Sequence, residues 1–193
     1  MDKAPTSPPR PLPRLTIICG PMFAGKTSEL MRVYRAMGSV TSIAIKPAMD
    51  TRYSAHEIVS HADDRIPATP LHNLQNIEKI VGEWQTNVFI DEGQFFMDLA
   101  EKTGVLLSMG KSVWISGLNA TARQRPWPSM SDVMAMADDI VYVRAAACHL
   151  CGRGPGCHTI SHALEAAASS SGTNICIGGD EMYAVVCREC LHP

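Results

Sequence analysis

Hydrophobic and polar positions along the chain fall into two textures. Short β-branched or apolar runs at 15–19, 42–45, 88–90, 113–116 and 140–143 read as buried strands. Longer amphipathic stretches lie between them. The clearest, 27–37, stops at Gly38, a residue suited to close a helix, and the stretches 75–84 and 98–109 predict two more helices. This alternation predicts an α/β fold with a mostly parallel sheet flanked by helices. Past about residue 145 the texture changes to Cys, Gly, Ser and His, with an Ala/Ser-rich stretch near 163–173, which marks a small second unit. The start, MDKAPTSPPRPLPR, holds five of the chain's thirteen prolines and reads as a flexible, partly polyproline II arm. The expected organisation is an arm at 1–14, an α/β domain at 15–145 and a small C-terminal unit at 146–193.

Composition narrows the function classes. With 193 residues, 46% of them hydrophobic, the chain can bury a substantial core. A net charge of -2 and no cluster of Lys or Arg argue against a nucleic-acid or membrane-surface binder, which needs a basic face. No apolar run is long enough for a membrane span, and the start has no apolar centre, so a cytoplasmic location is expected.

Chemistry enters with Gly20-Pro21-Met22-Phe23-Ala24-Gly25-Lys26-Thr27, which fits G-x-x-x-x-G-K-[ST] between the first predicted strand and the first predicted helix. That context is what a phosphate loop requires. Backbone N–H groups curl around phosphate oxygens, Lys26 reaches the β and γ phosphates, and the Thr27 hydroxyl ligates Mg²⁺. The fold expectation becomes a P-loop NTPase-like sheet. The alternative for these residues is an ordinary Gly-containing β-to-α turn.

The run 88–90 ends in two adjacent carboxylates, Asp91 and Glu92, followed by Gly93. In a parallel sheet, ligands gather at the carboxyl ends of the strands, so both acids are expected near the phosphate loop. Asp91 fits a magnesium-supporting role. Glu92 fits a residue that faces the nucleophile: orienting water makes an ATPase, and taking a proton from a substrate hydroxyl makes a kinase. Two acids that merely cap the next turn are the simpler alternative.

Seven cysteines without a secretory signal point to metal or free thiols before disulfides. Cys148 and Cys151 form one C-x-x-C pair and Cys187 and Cys190 another, enough thiolates to close a structural tetrahedral Zn²⁺ site around the base of a long loop. A set of reduced thiols is the alternative, as is replacement of one cysteine by His149 or His192.

Taken together, GPMFAGKTSEL, DTRY at 50–53, IDEGQFF, ISGLNATARQRPW and IGGDEMYAVVCREC resemble the type II, zinc-containing thymidine kinases over residues 15–190. The resemblance implies Glu92 as general base for the 5′-hydroxyl of thymidine. It implies that Lys26 and Arg52 stabilise the transferring phosphoryl group, with magnesium supported by Asp91 and Thr27. Phosphate contacts are implied for residues 20–27 and, nearby, Asp50, Thr51 and Arg52; Asp91, Glu92, Gly93 and Gln94 complete the ATP site. A zinc-tied lasso is implied to cover the nucleoside, with Asn174, Ile175, Cys176, Ile177 and Gly178 along the substrate and Tyr183 beside it. Met22, Phe95, Leu118, Ala122 and Thr159 match pocket positions, although apolar residues of this kind are also ordinary core. Thymidine and Mg²⁺-ATP as substrates, a structural Zn²⁺, a homotetramer and feedback inhibition by thymidine triphosphate are implied as well. The runner-up reading is a P-loop ATPase whose zinc module binds a partner.

Some positions depart from that pattern. Where the family commonly has LDGTF this chain has LNATA, so Asn119 and Ala120 replace Asp and Gly, and Ala122 replaces an aromatic residue. The segment 157–162, CHTISH, has Thr159 but no arginine after it. His158 and His162 there read as solvated loop histidines.

Overall fold

The computed structural model describes residues 12–51, 53–162 and 181–192. Its centre is a six-stranded sheet in the order β5-β2-β6-β7-β1-β8, every neighbouring pair parallel. The strands are β1 (Leu15–Gly20), β2 (Ser42–Pro47), β5 (Thr69–Leu71), β6 (Asn87–Ile90), β7 (Ser112–Leu118) and β8 (Asp139–Tyr142). Two antiparallel pairs stand apart from it: β3 (Glu57–Val59) with β4 (Arg65–Pro67), and β9 (His158–Ser161) with β10 (Tyr183–Val186).

Both faces of the sheet are covered, which is why its central strands are apolar nearly throughout. On one face, α1 (Lys26–Met37) lays Leu30, Met31 and Tyr34 over Ile18, Ala44 and Phe89, and the β3/β4 hairpin adds Ile58 and Ile66. Phe89 stacks on Trp114 at 4.8 Å between ring centroids, and Tyr34 meets Phe89 edge-on at 5.3 Å. On the other face, α2 (Ile77–Ile80), α3 (Leu99–Ser108) and α4 (Pro128–Met136) bury Ile77, Leu99, Leu106, Met130 and Val133 against Ile17, Ile90 and Ile115. A last short helix, α5 (Arg188–Leu191), follows β10.

Helix α1 stops at Gly38 as its sequence predicts: φ is 86° there and the Gly38 N–H bonds the Tyr34 carbonyl at 3.1 Å. Two expectations need correction. The stretch 75–84 forms one helical turn, α2, because Asn76 is left-handed, Val81 is extended, and Lys111 Nζ donates to the Gly82 and Glu83 carbonyls at 2.9 and 3.2 Å. Those carbonyls are thereby drawn into a loop closure. The run near 140–143 is a strand, but an edge strand: Ile140 is 48% exposed, so it is not buried. Helix α4 carries weak amphipathic periodicity and starts at Pro128, which occupies the helix's first turn; it was not among the expected elements.

Candidate active site

The carboxyl ends of β1, β2, β6 and β7 lie along one edge of the sheet, and each delivers a segment singled out by the sequence. From β1 the chain enters the loop 20–25 and then α1. A Cβ at Gly20 would overlap the Val143 carbonyl oxygen, so only glycine fits where the loop crosses the edge strand. Gly25, at φ 84°, is the left-handed residue preceding α1. Phe23 is also left-handed, at φ 58°, and its ring meets His61 edge-on at 5.4 Å. Lys26 is buried, and its ammonium donates to the Pro21 carbonyl at 2.7 Å, which curls the side chain back across the loop.

The two acids part company as their adjacency requires. Asp91 is buried at the end of β6, its N–H bonded to the Ile45 carbonyl of β2. Its carboxylate accepts from the Thr27 hydroxyl at 3.3 Å and from the Ser116 hydroxyl on β7. Burial pushes the Asp91 carboxyl up to about 7, helped by the Glu92 and Asp50 charges and opposed by the Ser116 hydrogen bond and Lys26. Glu92 turns off the strand at φ 51°, ψ 45°, a left-handed position costing about 1 kcal/mol for a side chain of this kind. Its carboxylate is half-buried and accepts from Gln94 Nε2 at 2.5 Å.

Asp50 lies buried just beyond β2, with its N–H on the Pro47 carbonyl, and Thr51 follows it, exposed. Arg52 lies outside the described residues. Gly93 packs tightly enough that a Cβ would come within 2.6 Å of Ile115 Cγ2. Gln94 is only 2% exposed; besides holding Glu92, its Oε1 accepts the Leu118 N–H at 3.0 Å. Gln94 is thus a brace between the Glu92 carboxylate and the end of β7.

Of the expected pocket residues, Phe95 is half-buried and meets Trp127 edge-on at 6.1 Å, and Leu118 and Ala122 are half-buried at the mouth of β7. Thr159 is buried on β9 and its hydroxyl accepts the Met22 N–H at 2.9 Å, tying the hairpin to the phosphate loop. Tyr183 starts β10, opposite Ser161. Asn174, Ile175, Cys176, Ile177 and Gly178 lie outside the described residues.

The sulfur atoms of Cys148, Cys151, Cys187 and Cys190 all lie within 4.8 Å of one another, and Cys151 Sγ is 3.8 Å from Cys187 Sγ. A tetrahedron with Zn–S bonds of about 2.3 Å has edges of about 3.8 Å, close to the spacing of this cluster, so the four thiols fit a zinc site. Backbone N–H groups, first that of Cys151, pull the Cys148 thiol down to about 6, whereas Cys190, whose S–H faces the Cys151 sulfur, is pushed up to about 12.

Two contributors escaped the sequence reading. Ser116 holds Asp91, and a polar residue inside the apolar run 113–116 was the available signal. Gln124 contacts β9 through its side chain, and nothing in its local sequence predicts that.

The same regions are what known proteins share with this chain. A family model described as Thymidine kinase matches residues 13–191. A thymidine kinase of Pseudothermotoga lettingae is 33% identical over 183 residues, 93% of this chain and 95% of the relative. A thymidine kinase of Thermococcus kodakarensis is 37% identical over 183 residues, 91% of this chain and 92% of the relative. A glycine-rich loop of the phosphate-binding pattern, an Asp-Glu pair at the end of another strand of the same sheet and a four-cysteine cluster thus sit within one continuous match, and the chain belongs to the thymidine kinase family.

Proposed function

We propose that this chain transfers the γ-phosphoryl group of ATP to the 5′-hydroxyl of thymidine, giving thymidine monophosphate and ADP, a salvage step that supplies DNA precursors. The observation that carries the reading is the family match over residues 13–191, with its two thymidine kinase relatives. The site chemistry agrees with it. Glu92 takes the 5′-hydroxyl proton as the sugar oxygen forms a bond to the γ-phosphorus. The bond from that phosphorus to the β,γ-bridging oxygen breaks, and ADP leaves with the electron pair. Lys26 and Arg52 neutralise charge on the transferring group, and the loop 20–27 aligns it, with Asp50 and Thr51 at its edge.

Thr27 and Asp91 would hold Mg²⁺ alongside ATP. Their oxygens are 3.3 Å apart, and Asp91 feels the charges of Glu92 and Asp50 as well as that of Lys26. When bound, the ion supplies charge neutralisation on the β and γ phosphates. A structural Zn²⁺ on the four cysteines would tie the ends of the segment 152–186 together, so that residues 146–193 act as a lasso over the nucleoside while 15–145 hold the phosphates. Met22, Phe95, Leu118, Ala122, Thr159 and Tyr183 would wall a pyrimidine-sized pocket, with 174–178 supplying backbone groups; a pocket of that size rejects purines sterically. We further assign a homotetramer, inhibition by thymidine triphosphate, and a cytoplasmic setting, where thiolates stay reduced.

Mass-spectrometric product analysis after incubation with Mg²⁺-ATP, alone and with thymidine, deoxyuridine, deoxycytidine or deoxyadenosine, tests the reading. ADP formed in step with thymidine monophosphate is the expected result. ADP formed without any phosphorylated nucleoside would instead make Glu92 a residue that orients water.

A further inference from the structure

The loop leaving β7 makes an unusual turn. The Thr121 N–H bonds the Arg125 carbonyl at 2.8 Å, the Gln124 N–H bonds the Thr121 carbonyl at 2.9 Å, and Ala120 bridges Pro126. Gln124 sits at the corner with φ 58°, a conformation that suits glycine and strains other residues. A glutamine at that corner needs a reason, and its side chain supplies one. Nε2 donates to the Thr159 carbonyl at 2.9 Å, and Oε1 stands 3.1 Å from His158 Nδ1.

The orientation of this carboxamide follows from its partners. The Thr159 carbonyl can only accept, so the NH₂ end must face it, and the oxygen must then face the imidazole. His158 is thereby held as the tautomer with a proton on Nδ1. Burial, then Arg188 and His192, lowers the His158 pKa, which favours the neutral ring, and Nδ1 donates to the carboxamide oxygen in either protonation state. One residue further along the same strand, the Thr159 hydroxyl receives the Met22 N–H at 2.9 Å. A continuous path of hydrogen bonds therefore runs from the 120–126 turn through β9 to the backbone of the phosphate loop.

The geometry points to Gln124 as a positioning residue: through His158 and Thr159 it fixes the Met22 backbone, and with it the wall where the phosphate loop meets the nucleoside pocket. It touches neither substrate in this role. The same turn carries Ala122 and begins at Asn119 and Ala120, the departures from the family pattern, so the turn and the 157–162 segment differ from that pattern at two ends of one contact. The consequence for nucleoside affinity rests on the thymidine kinase reading; the effect on the Met22 amide does not.

Two variants separate positioning from mere stability. Gln124→Glu keeps the size but sets a carboxylate oxygen against the Thr159 carbonyl, replacing donation by repulsion. Gln124→Gly relieves the left-handed backbone while deleting the clamp. Hydrogen–deuterium exchange on the full-length protein reads the relay directly: in both variants the peptide covering residues 20–26 should exchange about 10-fold faster, and peptides from α3 should be unchanged. In kinase assays the KM for thymidine should rise about 10-fold with kcat within about threefold, and Gln124→Gly should do so without a lower Tm. Thr159→Val should reproduce the exchange effect, and adding Gln124→Glu to it should add little. Unchanged exchange at 20–26 in folded Gln124→Glu overturns the relay, as does a fall in Tm with exchange and KM both intact. Faster exchange in a protein that phosphorylates no nucleoside would uphold the relay and remove the thymidine reading instead.

Discussion

The two halves of the site are built in opposite ways. The half proposed to hold the phosphates is local: residues 20–27 are contiguous, and the loop shape follows from Gly20 beside Val143, Gly25 at φ 84° and the turn into α1. Asp91, Ser116 and Asp50 come from elsewhere, each at or near the carboxyl end of another strand of the same parallel sheet. The half proposed to hold the nucleoside is assembled from distance. Thr159 reaches Met22 across 137 positions of sequence, and the hairpin that carries it is anchored where Cys151 meets Cys187, 36 positions apart. A contiguous loop pays little chain entropy to form, whereas distant segments need cross-links. The cysteine cluster and the Gln124 clamp serve that need. Damage to the first half should therefore appear in catalysis, and damage to the second in nucleoside affinity.

The largest separation should come from Lys26→Ala. Kcat should fall about 10³-fold as charge stabilisation on the phosphoryl group is lost, with thymidine binding by calorimetry nearly unchanged. Next, Glu92→Gln should keep ATP binding and lose about 10²-fold in kcat, because the amide cannot take a proton. Near-normal turnover in that variant would remove Glu92 from the role. Across the divide, Cys187→Ser should raise the thymidine KM about 30-fold while ATP affinity moves little, and zinc content measured by emission spectrometry should fall in parallel. An equal loss of ATP affinity would erase the distinction between the two halves.

The smallest effect is a pH signature of the phosphate half alone. Asp91 has its folded-state pKa raised from 3.8 to about 7, so the folded protein binds that proton more tightly than the unfolded chain does. The resulting stability is fully present below about pH 4 and drains away as pH rises to about 7, beyond which the buried carboxylate is charged and unfavourable. Without added magnesium, Asp91→Asn should therefore gain stability relative to the parent as pH rises from about 4 to about 7, and the difference should level off above that. Thermal unfolding at stepped pH reads this directly. A gap independent of pH would mean that the Asp91 carboxylate is already compensated in the folded protein.

Much of the phosphate half was legible because its determinants are short-range. The apolar run 15–19 followed by GPMFAGKT specifies strand, loop and helix within a dozen residues, and IDEG marks a strand end by chemistry alone. The edge position of β8 was not legible, since Ile140, Val141 and Tyr142 are as apolar as a buried strand and only sheet order exposes them. The stretch 75–84 has helical character, but Lys111, from beyond α3, claims its later carbonyls and limits it to one turn.

By itself, then, the sequence determined where a glycine-rich loop of the phosphate-binding pattern joins a strand to a helix, which strand ends in acids, and which thiols are paired at metal-binding spacing. These follow from side-chain chemistry and from backbone preferences within a few residues. Tertiary structure decided what each group is held by: Asp91 by Ser116, Glu92 by Gln94, and Met22 by Thr159 and, through it, Gln124. Those contacts depend on sheet order and on where a turn aims one side chain, and a hydrogen bond is made or lost over a few tenths of an ångström. No local pattern in the chain records a distance that fine.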